Sequence, residues 1–445
     1  MNDLSDGQIG TVRKMIEQAP DATLRSIGAA LAANLQQPAA IRAITDIVNA
    51  EALEREVRTA VFAPIAPLCT PTAGVRRLEF PFETPALLWR ALKTVATDAV
   101  AQATHMAEVD EEGEGCLQAL DELCREAATA LRDRATPELG RLAAWLDGKG
   151  PGSQRLATLL DLSPLLREAL PSLPYWARNL NGEYDASIRV VFKQASDLGS
   201  EGAALLMEAL FAHLEDPYHV LRLVSSVMSR PSERYLAACE MATFGERLMD
   251  DIDRQIELAR GFDPLRGLEG GVAAAAAAEI AIHGIPEFEE WVILSKQGPW
   301  GSRLQAQKRS LALIVEARLR EVEGAVAAAL PVQTPRFGAH KQRGAPRIAD
   351  QPNPLAVAKA QALLALLHGV RSAASIGGFG ALRTKLIETL TYRLDQYTED
   401  LLDLLHSGQS DPDRVRAYLE VAAEFTGLVQ DPQAAEIVRR RAAAA

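Results

Sequence analysis

The run Met249-Asp250-Asp251-Ile252-Asp253 is where this sequence comes nearest to chemistry. Carboxylates one turn apart on a helix can hold Mg²⁺, and the ion can clamp a diphosphate. The spacing argues against that use. The position four after Asp250 is Arg254, and no second Asp/Asn cluster with polar partners appears elsewhere in the chain. Arg247 with Asp251, and Asp250 with Arg254, read instead as i,i+4 pairs on a solvated helix face. On that reading, changing Asp250, Asp251 and Asp253 to Asn should leave the thermal midpoint nearly unchanged.

His213-Leu214-Glu215-Asp216-Pro217-Tyr218-His219 gathers residue types that bind Zn or Fe. Two histidines on one helical face need i,i+4 spacing, and these are further apart with Pro217 between them, so a helix-to-helix turn capped by Asp216 is the simpler reading. Glu279 and His283 do have i,i+4 spacing, but one pair cannot complete three or four ligands. No H-E-x-x-H motif is present, and no G-x-S-x-G elbow supports a nucleophile. The stretch Ser375-Ile376-Gly377-Gly378-Phe379-Gly380, ahead of Arg383 and Lys385, could present amides to an anion, yet it lacks G-K-[ST] and reads as a helix–helix turn. No cofactor is called for.

The remaining charge pattern concerns partners. Arg336, Lys341, Arg343 and Arg347 face only Asp350 within a proline-rich stretch, a basic patch in a chain with 47 Lys+Arg, 59 Asp+Glu and a net charge of −12. These four residues are the candidate partner-binding set, with the acidic stretch Glu108, Asp110, Glu111, Glu112 and Glu114 as a candidate internal dock. The net charge repels phosphate backbones, so nucleic acid is not expected as a partner. Cys69, Cys116, Cys124 and Cys239 form no C-x-x-C, which reads as reduced thiols and a cytoplasmic location. The first twenty residues lack the apolar core of an export signal. The alanine run is cut by Glu279, and the stretch from Leu355 carries Lys359 and His368, so no membrane span is expected.

These residues must be positioned by helices. Aromatics make up only 5% and hydrophobics 48%, with an unbroken Ala273–Ala278 run, which favours helix over sheet. Prolines punctuate the pattern. Helices are expected after Pro20 and Pro38, from Thr84-Pro85, from Ser163-Pro164, from Pro264 and Pro286, and from Asp411-Pro412 and Asp431-Pro432. Segment 170–183, with its prolines and asparagines, reads as a loop. Leu382, Leu386, Leu390, Leu394, Tyr397, Leu401 and Leu405 line one drifting helix face that should be buried.

The expected fold is all-α, a multi-lobed irregular helical bundle with long antiparallel helices. Its expected parts are residues 1–83, an N-terminal helical lobe and crossing segment; 84–330, a central helical domain; 331–354, a proline-rich basic linker; and 355–445, a C-terminal helical domain able to fold alone. Long amphipathic helices without a catalytic constellation point to a non-catalytic interaction or scaffold protein with a protein partner, or to self-association. The rival reading is an all-α metal-dependent enzyme for a phosphorylated or prenyl substrate, using Asp250, Asp251, Asp253, His213 and His219. Peripheral membrane attachment ranks below both, because the long helices have mixed or acidic polar faces.

Overall fold

A chain poor in aromatics and rich in alanine and leucine has little material for sheets, and helix makes up 79% of the structure. This is a computed structural model that describes residues 6–33, 38–71, 74–109, 113–148, 150–333, 344–408 and 410–445. It divides into two compact units, Met1–Ser229 and Arg230–Ala445. The division falls inside the expected 84–330 domain, at Ser229 and Arg230, two consecutive left-handed residues that end a helix.

The first unit contains α1 (Asp6–Gln18), α2 (Asp21–Ala32), α3 (Ala39–Phe62), α4 (Thr84–Val95), α5 (Thr97–Val109) and α6 (Glu114–Arg132). It continues with α7 (Pro137–Asp147), α8 (Gly152–Ala169), α9 (Leu173–Ala177), α10 (Asp185–Asp197), α11 (Gly202–His213) and α12 (Val220–Met228). Its centre is α8, which is apolar on most sides and packs on α6, α7 and α11. The α6 stripe of Cys116, Leu120, Leu123, Ala127 and Leu131 recurs at helical spacing and is buried throughout. Ser163-Pro164 does not start a helix here. The α8 helix runs through it, and the Ser163 hydroxyl donates to the Leu159 carbonyl at 3.0 Å. Interior proline costs about 3 kcal/mol, and the buried Leu160, Leu162 and Leu166 on either side offset it. Segment 170–183 is likewise not all loop, because α9 buries Leu173 and Trp176.

The second unit contains α13 (Glu233–Leu236), α14 (Ala242–Arg260), α15 (Gly267–Trp291), α16 (Pro299–Leu319) and α17 (Val322–Ala329). After the short strands β1 (Val332–Gln333) and β2 (Ala345–Pro346) come α18 (Pro354–Gly369), α19 (Ala373–Ile376), α20 (Gly380–Ser407), α21 (Pro412–Val429) and α22 (Pro432–Ala444). Local sequence explains many of these starts: Asn353, Asp411 and Asp431 each cap a helix with proline in its first turn. Pro286 is another exception. It lies inside α15, held there by buried Ile282, Ile285 and Phe288.

The most extensive helix pairing of this unit is α15 with α18. It runs parallel: Gly267 lies by Ala358, Gly271 by Ala362 and Gly369 by Ala275. Glycine and alanine at these positions let the backbones approach, since a Cβ on Gly271 would stand 2.0 Å from the Ala362 carbonyl oxygen. The α18 helix buries Ala360 and every residue from Ala362 to Leu367, so it needs neighbours on several sides and finds them in α15, α17 and α21. The C-terminal helices therefore pack on α15 and α17 as well as on one another. By length and composition, 264–291 is the one stretch among the described residues that could cross a membrane, and half of its apolar window is buried inside the unit.

The expected linker 331–354 is tied at both ends. β1 pairs with β2, the Arg347 amide donates to Pro331, and Tyr397 donates to the same carbonyl at 3.4 Å. Arg336, Lys341 and Arg343 lie outside the described residues, as do Asp110, Glu111 and Glu112.

Candidate functional site

The aspartate run occupies the middle of α14, and its carboxylates are engaged by basic side chains. Arg303, one turn into α16, donates to Asp250 at 2.5 Å, to Asp253 at 2.6 Å and to Glu246 at 3.2 Å. Gln307, one turn further on, donates to Asp253 at 2.7 Å and to the Met249 carbonyl at 2.9 Å. Asp251 points the other way, buried, and pairs with Arg254. Burial alone would lower the Arg303 pKa, but the bonds from Asp250 and Asp253 outweigh it and hold the guanidinium above its ordinary value. This is a contact between two helices on a face that stays solvated, with Asp250 70% and Asp253 47% exposed. It arises because the α14–α16 packing brings Arg303 to carboxylates some fifty positions earlier.

The histidines belong to the first unit. His213, at the end of α11, contacts the Pro64 carbonyl at 3.0 Å. Burial lowers its pKa; the Pro64 carbonyl works against that shift and the nearby Arg77 charge works with it. Asp216 caps the following turn by accepting the Tyr218 amide at 2.9 Å, as the sequence suggests, and His219 stands 3.5 Å from the same carboxylate. Among the described residues no group of three or more His, Cys, Asp or Glu side chains is placed to share a metal ion.

Glu279 and His283 do meet, at 3.2 Å, and Glu279 also accepts the Ser372 hydroxyl and the Ala373 amide, which makes it a cap for α19. The glycine stretch after α19 is a turn with Gly378 at φ +80°, and Arg383 donates to the Leu367 carbonyl at 2.9 Å. Three of the four cysteines are buried, and burial pushes Cys69 up to about 12 and Cys124 up to about 11. Neither is a thiolate near neutrality. The leucine face of α20 is buried within its own unit at Leu386, Leu390, Leu394, Tyr397 and Leu401, and is no open groove.

Two surface features escaped the sequence reading. In the first unit, Pro81, Leu87, Leu142 and Trp145 line an open groove of about 480 Å³ between α4 and α7, with Glu83, Glu138 and Arg141 among its lining residues. Phe82 and Trp145 are 70% and 61% exposed. Their aromatic type was the only available signal. In the second unit, a groove of about 530 Å³ lies along 292–296. Its wall is braced by Glu233, a carboxylate only 3% exposed, which accepts the Ser295 amide at 3.1 Å and the Trp300 amide at 2.8 Å. No known protein family, curated protein or solved structure matches this chain.

Proposed function

We propose that this is a non-catalytic helical interaction or scaffold protein, working in the cytoplasm on a protein partner, with self-association as the second form of the same reading. One observation carries it. Trp145 lines an apolar groove of its unit while standing mostly in solvent, and Phe82, between the groove residues Pro81 and Glu83 in the chain, is exposed as well; large exposed aromatics at a groove mark association surfaces. The candidate catalytic carboxylates support it too, being engaged in the α14–α16 clasp and the Arg254 pair. The rival metal-dependent enzyme would rest on Asp250, Asp251 and Asp253 with His213 and His219.

The test compares the full-length protein with the Phe82→Ser/Trp145→Ser double variant. Both baits are cross-linked in cells and the captured proteins identified, and both are sized by sedimentation. A partner or self-associated species present with the parent chain and lost with a variant of unchanged melting temperature supports the reading. Identical captures and identical sedimentation overturn it. Stoichiometric Mg²⁺ or Zn²⁺ binding in calorimetry, lost on changing Asp250 and Asp253 to Asn, would favour the enzyme.

A further inference from the structure

The groove of about 530 Å³ in the second unit is assembled from Arg230, ahead of α13, from Glu289 near the end of α15, from Val292, Ile293 and Lys296 beyond it, and from Leu304 of α16. Its volume lies within the range of roughly 300–1,000 Å³ that small-molecule sites occupy. Val292 and Leu304, both buried, give it an apolar floor, and Ile293 is left 54% exposed in its wall.

The groove is shaped before anything enters it. The Ile293 amide donates to the Pro231 carbonyl and the Glu233 amide to the Ile293 carbonyl, both at 3.0 Å, so the residue after Arg230 is tied to the wall. Arg230 itself stands at φ 52°, a region that disfavours residues with a side chain. At the other end the buried Glu233 carboxylate accepts the Ser295 and Trp300 amides, which fixes the turn that carries Lys296.

The free charges share one sign. Glu289 is paired with Lys308 at 3.7 Å, whereas Arg230 and Lys296 have no ion-pair partner among the described residues. Two unneutralised cations beside apolar surface, in a chain of net charge −12, complement a molecule with a negative head and an apolar body. A neutral lipid leaves the cations unused, and a bare inorganic anion leaves the wall unused.

We propose that this groove binds a small organic anion with an apolar body, a carboxylate or phosphate monoester carried on a hydrocarbon chain. The Arg230 guanidinium takes the head group, Lys296 adds a second positive charge, and the body covers Ile293 and Leu304. The site lies in the second unit, uses neither Phe82 nor Trp145, and is independent of the interaction reading.

Isothermal calorimetry of the full-length protein with decanoate and with decyl phosphate, each below its micelle concentration, tests it. One-to-one binding of at least one is expected, and the tighter of the two identifies the head group. Its affinity should fall at least tenfold in Lys296→Gln and in Arg230→Gln, fall at least threefold in Ile293→Ser, and stay unchanged in Phe82→Ser/Trp145→Ser. Lys296 lies in an exposed turn, so its variant reads the charge even where Arg230→Gln disturbs the backbone. No binding of either compound, equal binding of decanol, equal binding of acetate or inorganic phosphate, or full affinity in Lys296→Gln would each overturn the site. Loss of binding in Phe82→Ser/Trp145→Ser would place the anion in the other groove and overturn it as well.

Discussion

In the first unit helix ends are tied down by arginines, whereas in the second two glutamates do the reverse. Arg55 donates to the Ile16, Glu17 and Ala19 carbonyls at the end of α1 while pairing with Asp21 and Glu51. Arg167 reaches the carbonyls of Ala60 and Val61 near the end of α3, and Arg222 that of Ala177 at the end of α9. Such carbonyls lack helical partners and carry the negative end of the helix dipole. In the second unit Glu233 and Glu279 instead accept the first amides of α16 and α19. Arg318 and Arg383 cap carbonyls there as well, so the glutamates and the α15–α18 approach are what set this unit apart. A guanidinium on a flexible stem tolerates a variable gap. Two backbones separated only by glycine and alanine do not.

The largest expected effect tests that intolerance. Gly271→Ala would place a methyl 2.0 Å from the Ala362 oxygen, and overpacking of this kind should cost about 3 kcal/mol or more in urea unfolding. Gly140→Ala in α7 and Gly324→Ala in α17 meet nothing within 4 Å and should each stabilise by about 0.5–1 kcal/mol, the ordinary helical gain over glycine. A neutral Gly271→Ala would break the contrast at its strongest point.

Removing the anchors comes next. Glu233→Ala strips an acceptor from two backbone amides, one of them buried, and should cost about 2–4 kcal/mol, with amide-exchange protection lost first at the start of α16. Arg55→Ala should cost about 1–3 kcal/mol and expose the end of α1. Protection lost in the opposite places would show that these side chains do not hold the helix ends they touch.

Changing Asp250, Asp251 and Asp253 together to Asn should cost about 1–2 kcal/mol, more at low salt than at high, because the α14–α16 clasp is half-exposed. Melting temperatures in two salt concentrations measure it. An unchanged midpoint would show that the contact with Arg303 adds nothing to the i,i+4 pairing.

The smallest effect is a pH slope in the first unit. His213 has a folded pKa below its ordinary 6.5, so the unfolded chain takes up the proton first. Its contribution is fully present above about pH 6.5 and is lost as pH falls through the lower folded value. Stability measured between pH 7.5 and 5 should therefore fall less steeply in His213→Gln than in the parent chain. An equal slope would mean that burial does not hold the imidazole neutral in the folded chain.

Much of this molecule follows from rules that act within one helical turn. The helix-rich class, the caps at Asp411 and Asp431, the Asp216 turn and the buried Leu386 to Leu401 face could all be read locally. So could the contact of Glu279 with His283, one turn apart. What the sequence by itself could not determine depended on partners tens of residues away. Pro164 and Pro286 look like helix starts until leucines and isoleucines buried on both sides keep their helices running. Asp250 and Asp253 look paired only within their own helix until Arg303 arrives from another. The α18 helix, apolar on several sides, has its place set by α15 and α17. Local pairing energies are a few tenths of a kcal/mol, while burying one leucine is worth about 2. Where the two conflicted, packing decided.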